Sequence, residues 1–241
     1  MSDADRIDLT LQCKFPPLIE DFDAGAARFL SLLRTIERNR FFEVDHWMSN
    51  SINVWERERE FLEDERKRNH EAIEKGQLLG IGAGASLGGA PFLKLRYIWR
   101  SRRRDSLSAE VRRAHPVHGT PTQMYVDMVD IITAWRRPMH IRCQPFLYLR
   151  DYHPFDRARS GIGWVGWIPF DLSPSDVPEA HRVEPMNGGT LIVSQPDFWQ
   201  AGGPDKDDDA IARAQEVDMK LNLLGVLPTI VELERGDWGQ P

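Results

Sequence analysis

Cysteine is nearly absent. The 241-residue chain has two, Cys13 and Cys143, far apart in sequence. That excludes a disulfide framework and leaves no paired-cysteine metal motif, so a reduced compartment is expected. No run of about 18 apolar residues occurs, which argues against a membrane-spanning helix. The opening Met1-Ser-Asp-Ala-Asp-Arg6 lacks the basic start and apolar centre of a signal peptide, so the cytoplasm is the expected location. Catalytic signatures are equally scarce, with no G-x-S-x-G elbow and no H-E-x-x-H pair. Basic charge runs short in the second half. Residues 121–241 hold 11 Lys+Arg against 18 Asp+Glu, whereas residues 1–120 hold 20 against 19, so the net charge of -6 arises in the second half. Such a half repels phosphate and attracts a basic protein surface, so direct nucleic-acid binding is not expected there.

What is present reads as a folded chain, 41% hydrophobic and 28% charged, of a size for one domain over 1–241. Its anchor is Gly161-Ile-Gly-Trp-Val-Gly-Trp-Ile-Pro-Phe170. Two tryptophans among three glycines mark the middle of a core, or a surface where one ring meets a partner. Ile7 to Cys13 alternates as a half-buried strand. Asp21 or Asp23 can cap a helix whose stripe is Ala26, Phe29, Leu30, Leu33 and Ile36. The charged stretch Glu56 to Glu74 reads as a solvated helix. Thr120-Pro121 opens a helix carrying Tyr125, Met128, Val129, Ile132 and Trp135. Strands are expected over Ile141 to Leu149, Ile162 to Ile168 and Thr190 to Val193. Asp205 to Asp209 opens a last helix with the stripe Ile211, Ala214, Val217, Leu221 and Leu224, closed by Gly225. A final strand is expected over Thr229 to Leu233, then a loose tail over 234–241. Central connections too short for crossover helices make the sheet mainly antiparallel and the fold α+β. The glycine-rich and basic segment 76–119 is expected to be an insertion or mobile excursion.

Gly80-Ile-Gly-Ala-Gly-Ala85 matches G-x-G-x-x-A, but a charged helix precedes it and Asp105 stands at a loose distance, so a dinucleotide cradle is not expected. The basic run Lys94 to Arg113 interleaves Tyr97 and Trp99, a pattern that could bind single-stranded nucleic acid. His115-x-x-His118 could join His140 or His153 at zinc, though neither Cys nor acid lies at ligand spacing. Asp127 and Asp130 share a helix face without an obvious partner.

Several segments in order carry a resemblance. They are the Trp135 helix end, the strand Ile141 to Leu149, Gly163-Trp-Val-Gly-Trp-Ile-Pro169, Gly189-Thr-Leu-Ile-Val193, the helix Ala210 to Leu224 and Gly225-Val-Leu-Pro228. Over residues 120–233 the chain resembles the immunity protein 52 family of bacterial polymorphic toxin systems. The 76–119 segment lies outside that comparison. The resemblance implies a non-enzymatic protein, without cofactor or metal, that neutralises a cognate toxin. It further implies a toxin often delivered by type VI secretion and typically a restriction-endonuclease-like nuclease. An acidic inhibitor suits such a basic target. The partner-binding residues expected are Asp151, Asp156, Asp171, Asp176, Trp199, Asp205, Asp207, Asp208 and Asp209. Two rival readings remain: an α+β enzyme built around His115 and His118, and a nucleic-acid adaptor using residues 94–113.

Overall fold

The computed structural model describes residues 7–39, 42–87, 92–99, 104–114, 120–156 and 158–240. Among them ten strands form one sheet: β1 (Ile7–Phe15), β2 (Val44–Ser49), β3 (Ile52–Asn53), β4 (Leu79–Leu87), β5 (Phe92–Trp99), β6 (Asp105–Ala114), β7 (His140–Gln144), β8 (Val165–Ile168), β9 (Arg182–Met186) and β10 (Gly189–Val193). Their order is β3-β2-β4-β5-β6-β1-β7-β8-β10-β9, and every neighbouring pair is antiparallel. The helices are α1 (Phe22–Arg38), α2 (Glu58–Arg68), α3 (His70–Glu74), α4 (Pro121–Trp135), α5 (Asp208–Leu223) and α6 (Ile230–Arg235), with a π-helical turn at Tyr148–Tyr152. The fold is α+β, as the order of segments implies.

Local chemistry sets the helix ends. Asp21 Oδ1 accepts from Ala24 N at 2.8 Å to open α1, and the expected apolar stripe of α1 is buried throughout. Thr120 Oγ1 accepts from Gln123 N at 3.3 Å ahead of Pro121. Asp207 Oδ1 accepts from Ala210 N at 2.9 Å to start α5. Each cap satisfies a backbone donor that the first turn leaves orphaned.

The sheet carries two cores. On one face, side chains from β1, β2, β4, β5, β6, β7, β8 and β10 pack with α1 and α4 in the larger core, which includes Trp47, Tyr97, Trp99, Trp164 and Trp167. On the opposite face, at the β8–β10 end only, Ile162, Ile168, Val183 and Ile192 pack with Val217 and Leu221 of α5. Strand alternation produces this split: Val165 and Trp167 point to the first core, Ile168 to the second. Residues 161–169 are therefore buried as a block. Both tryptophans lie inside, and neither is left for a partner. Trp164 Nε1 donates to Gln195 O at 3.0 Å and Trp167 Nε1 to Met186 O at 2.8 Å, which removes the penalty of burying an indole N–H.

Several expectations need correction. The described residues of the 76–119 segment are no excursion, because they supply β4, β5 and β6 in the body of the sheet. Their alternation is that of a sheet with one face covered. Leu93, Leu95, Tyr97 and Trp99 face inward and are buried, while Lys94 and Arg96 face out. Glycines 80, 82 and 84 occupy the outward positions of β4, which hid that strand's period from a composition-based reading. The Glu56–Glu74 helix is two helices, α2 and α3. They break at Asn69, whose side-chain amide donates to Gly80 O at 2.8 Å and accepts from Gly80 N at 2.9 Å. Residues 229–233 start a helix, not a strand. Thr229 and Glu232 form a reciprocal capping box, and the Thr-x-x-Glu spacing was there to be read. Leu224 is exposed at the end of the α5 stripe. The tail is tied down, since Trp238 packs edge-on against Phe170 at 5.5 Å between ring centroids.

Close packing makes one glycine position decisive. A Cβ on Gly25 of α1 would sit 2.1 Å from the Trp99 indole, which is itself stacked on Tyr97 at 5.3 Å. Gly25→Ala is expected to lower stability by about 1–3 kcal/mol through overpacking. Gly80→Ala meets its nearest atoms at 3.8 Å and should change stability by less than about 0.5 kcal/mol. Urea unfolding of the two variants checks the contrast, and equal effects would refute it.

Candidate functional site

The acidic residues expected at a partner surface fall into two groups along α5. The first surrounds its N-terminus. Asp205, Asp207, Asp208 and Asp209 are all exposed. Lys206 Nζ stands 2.5 Å from Asp208 Oδ1 and 4.9 Å from the Tyr152 ring centroid. Gln215 Nε2 donates to Tyr152 O at 2.6 Å. These contacts bring the π-helical turn, and with it exposed Asp151, beside the α5 start. Asp151 is bridged by Arg150 through two bonds of 2.7 Å. The second group is Asp171 and Asp176 in the β8–β9 loop. Asp176 Oδ2 accepts from Ser173 N at 2.8 Å and from Ser173 Oγ at 2.6 Å. These bonds hold its carboxyl below the usual range, with a smaller contribution from Lys220 in the last turn of α5. A helix of 16 residues is about 24 Å long, so the two groups cannot form one compact patch. Asp156 is exposed and accepts from Ala158 N at 3.0 Å. Trp199 is a correction: it is 3% exposed and packs edge-on against Tyr148 at 5.2 Å. Its ring belongs to the core, because an indole beside a buried aromatic gains more by leaving water than by waiting for a partner.

The face of the sheet opposite the larger core is polar from β4 to β7. Cross-strand register places Gly82, Arg96, Ser108, Gln12 and Arg142 in one row, and Ile98, Ser106, Lys14 and His140 in the next. A groove of about 820 Å³ runs where α2 and α3 meet β4 and β5, a size typical of ligand clefts. Bare glycines 80, 82 and 84 line it, with Glu65, Arg68, Lys94 and Arg96. Glu65 accepts from Arg68 Nη1 at 2.6 Å and from Ser49 Oγ at 3.1 Å. Burial pushes its carboxyl pKa up against the opposing pull of Arg68.

Two motifs now have a structural answer. The Gly80–Ala85 glycines lie inside strand β4 rather than at a strand-to-helix turn, and Asp105 is engaged by Arg136 Nη1 at 2.8 Å. The aromatic residues of the basic run point away from its cations. Tyr97 and Trp99 are fully buried, so they offer no stacking platform for bases. His115 and His118 lie outside the described residues, as do Arg100, Arg102 and Arg103. His140 and His153, their proposed zinc partners, are on the sheet and beside Asp218 respectively. Among the described residues no group of three or more His, Cys, Asp or Glu could hold a metal. Asp127 and Asp130 are engaged by Gln123 Nε2 at 2.7 Å and Asn187 Nδ2 at 2.9 Å.

A polar cluster that the sequence reading missed sits beneath the anchor run. Asp218 of α5 is completely buried. Its Oδ1 accepts from Ile162 N at 2.8 Å, and its Oδ2 accepts from the Tyr148 hydroxyl at 3.0 Å. Gly161 makes the approach possible, since a Cβ there would lie 2.3 Å from the carboxylate. Gly163, at φ +69, turns the chain where a side chain would be strained and would strike Gln144. His153 Nε2 accepts from Gly161 N at 3.1 Å, so that nitrogen carries no proton. Burial lowers the His153 pKa further and keeps the ring neutral. Burial also raises the Asp218 pKa to about 6, against the four hydrogen-bonding and Arg142 contributions that favour its charge. Every donor around the carboxylate comes from the fold itself, so the cluster joins α5 to the Gly161–Gly163 backbone. An acid at position 218, inside the apolar stripe of α5, was the available signal.

No family model and no curated protein matches the chain. Among solved structures the chain is similar to the Pseudomonas aeruginosa T6SS protein PA0821, at 10% identity and a TM-score of 0.49, over 89% of this chain and 73% of that one.

The Asp218 cluster gives a pH prediction. A raised folded-state pKa means the native protein holds this proton to higher pH than the unfolded chain does. The contribution to stability is therefore fully present below about 4 and lost as pH rises through about 6. Asp218→Asn keeps an acceptor for Ile162 N and a polar group for Tyr148 while removing the titration. The stability difference, variant minus wild type, should grow across pH 4 to 6 in thermal or urea unfolding. A difference that is flat with pH would refute the assignment.

Proposed function

We propose that the protein is an immunity protein, one that binds a cognate bacterial toxin stoichiometrically in the cytoplasm and neutralises it. The observation that carries this reading is the exposed carboxylate surface at the start of α5. Asp205, Asp207, Asp208 and Asp209 stand in five residues, with Asp151 beside them across the Tyr152–Lys206 contact. Only Asp207 is used by the fold as a cap. A cluster of like charges on a rigid helix end, beyond what capping requires, is the arrangement that steers association with an oppositely charged protein.

The resemblance over residues 120–233 implies the chemistry of that partner: typically a nuclease, often an effector of a type VI secretion system. A nuclease surface must attract phosphate and is basic near its site, so these carboxylates would take the place of the nucleic-acid backbone. The reading is non-enzymatic. The most perturbed acid in the described structure, Asp218, is enclosed and bonded to backbone, so it serves the fold and faces no cleft. Protection against an enzyme requires long-lived binding, and the tightest pairs known reach a Kd of about 10⁻¹³ M.

Co-expression with the adjacent open reading frame tests the reading. The neighbour should be toxic alone, harmless with this protein, and recovered with it as a stable complex. Failure of all three would remove the proposal. The surface has its own test. Reversal of Asp205, Asp208 and Asp209 to Lys, sparing the Asp207 cap, should slow association with the toxin by roughly 10-fold or more and flatten its salt dependence. Unchanged association by a folded variant would move the interface elsewhere, with Asp171 and Asp176 as the next pair to reverse.

A further inference from the structure

The open face of the sheet carries a second charged feature, of opposite sign, that the immunity reading does not use. Lys14 of β1 lies directly across from Ser106 of β6 and His140 of β7. Arg142 is two residues along β7, opposite Gln12. Arg104 stands two residues before Ser106 and is half-buried. Strand alternation therefore puts Lys14 and Arg142 on one face of adjacent strands, and Arg104, just ahead of β6, flanks Lys14 from the other side, so that each arginine is diagonal to the lysine.

We propose that this cluster is a binding site for a phosphate group. Three positive charges converge on a half-buried patch, and the charged groups acting on Lys14 include no carboxylate. Lys14 makes no side-chain hydrogen bond or ion pair among the described residues, so its three ammonium donors are available. Burial, then Arg104 and Arg142, lower its pKa to about 8. A bound oxyanion reverses that repulsion. Arg142 is held in place for such a ligand. Its Nε and Nη2 donate to Gln12 Oε1 at 3.0 and 2.7 Å, and its Nη1 donates to Ser160 Oγ at 3.2 Å. Two of its five N–H groups remain. Asp218 is the carboxylate that acts on Arg142, and its oxygens are occupied by backbone and Tyr148. Beneath the cluster, His140 is 1% exposed and its Nε2 has no hydrogen-bond partner. A buried polar nitrogen without a partner, beside a half-buried lysine, is the mark of a place that a further polar group completes. A fixed guanidinium fork with an ammonium point charge diagonal to it matches a tetrahedral oxyanion. The β5 residues registered beside this part of the sheet are Arg96 and Ile98, neither of which stacks on a base, so the phosphate group itself is what the site recognises.

The test is calorimetric titration of the full-length protein, in phosphate-free buffer, with inorganic phosphate, adenosine 5′-monophosphate and citrate. Saturable binding of phosphate with a Kd of roughly 1 mM or tighter is expected. Lys14→Gln should weaken it by about tenfold or more, and Lys94→Gln, on the same face but outside the cluster, should leave it unchanged. Phosphate should also raise the Tm of the wild type and not that of Lys14→Gln. If Lys14→Gln does not fold, Arg104→Gln takes its place with the same expected loss. Equal binding of phosphate and the nucleotide means that any phosphate group is accepted. Tighter binding of the nucleotide places the source among nucleotides, and both results support the site. No saturable binding of either, equal binding by wild type and the cluster variant, or binding of citrate alone would overturn it.

Discussion

The constraint on which the structure depends is the burial of one sheet from two sides at one end and from one side elsewhere. At the β8–β10 end, α4 covers one face and α5 the other, so the strands there are buried on both sides, and the polar Thr190 is accommodated by bonding its hydroxyl to Phe170 O and Leu172 N. Glycine is what lets two tryptophans, an isoleucine cluster and a buried carboxylate share that space. Remove α5 and the second core, Ile162, Ile168, Val183 and Ile192, would be left facing water. At roughly 25 cal/mol per Å² of apolar area, each such side chain carries 1.5–3 kcal/mol. The link that orients α5 is polar: Asp218 meets the backbone of Ile162 from inside an otherwise apolar stripe.

That asymmetry distributes the functional surfaces. At the start of α5 Ala210 and Ile211 are buried in the larger core while Asp205, Asp207, Asp208 and Asp209 stay exposed. The outward side chains of β4 to β7 form a polar face, with a groove along β4 where α2 and α3 meet it. Negative charge therefore gathers at the helix end, and positive charge gathers on the strands. The acidity of the second half becomes a located surface there, and the basic run of the first half joins Lys14 and Arg142 from distant parts of the chain. The two surfaces proposed for binding, opposite in sign, are compatible with a protein that works by association.

Burial also decides which candidates lose their role. Trp199 carries a large apolar face, and the fold turns it against Tyr148. Tyr97 and Trp99 alternate with Lys94 and Arg96 in sequence, yet the pleat sends them to opposite faces. An interleaved aromatic and basic pattern is thus a nucleic-acid signal in a loop and an ordinary core signal in a strand. The distinction is one of backbone geometry, and the pattern alone does not contain it.

Much of the fold was legible from the residues. Stripes at three and four fixed α1, α4 and most of α5, because periodic burial is a local property. Asp21, Thr120, Asp207 and Gly225 marked their ends, because capping involves neighbours in sequence. The α+β class and antiparallel pairing followed from short connections, and the net acidity of the second half followed from counting. Tertiary structure decided the rest. Strands β4 and β6 were hidden because glycine in β4 and serine and Glu110 in β6, at outward positions, look like a loop until helices cover the other face. Asp218, the polar face with Lys14 and Arg142, and the inward turn of Trp199 all depend on residues far apart in the chain. A buried charge shows in sequence only as an acid within an apolar stripe, and a facing cation not at all, because their environment is made by packing that no single segment specifies.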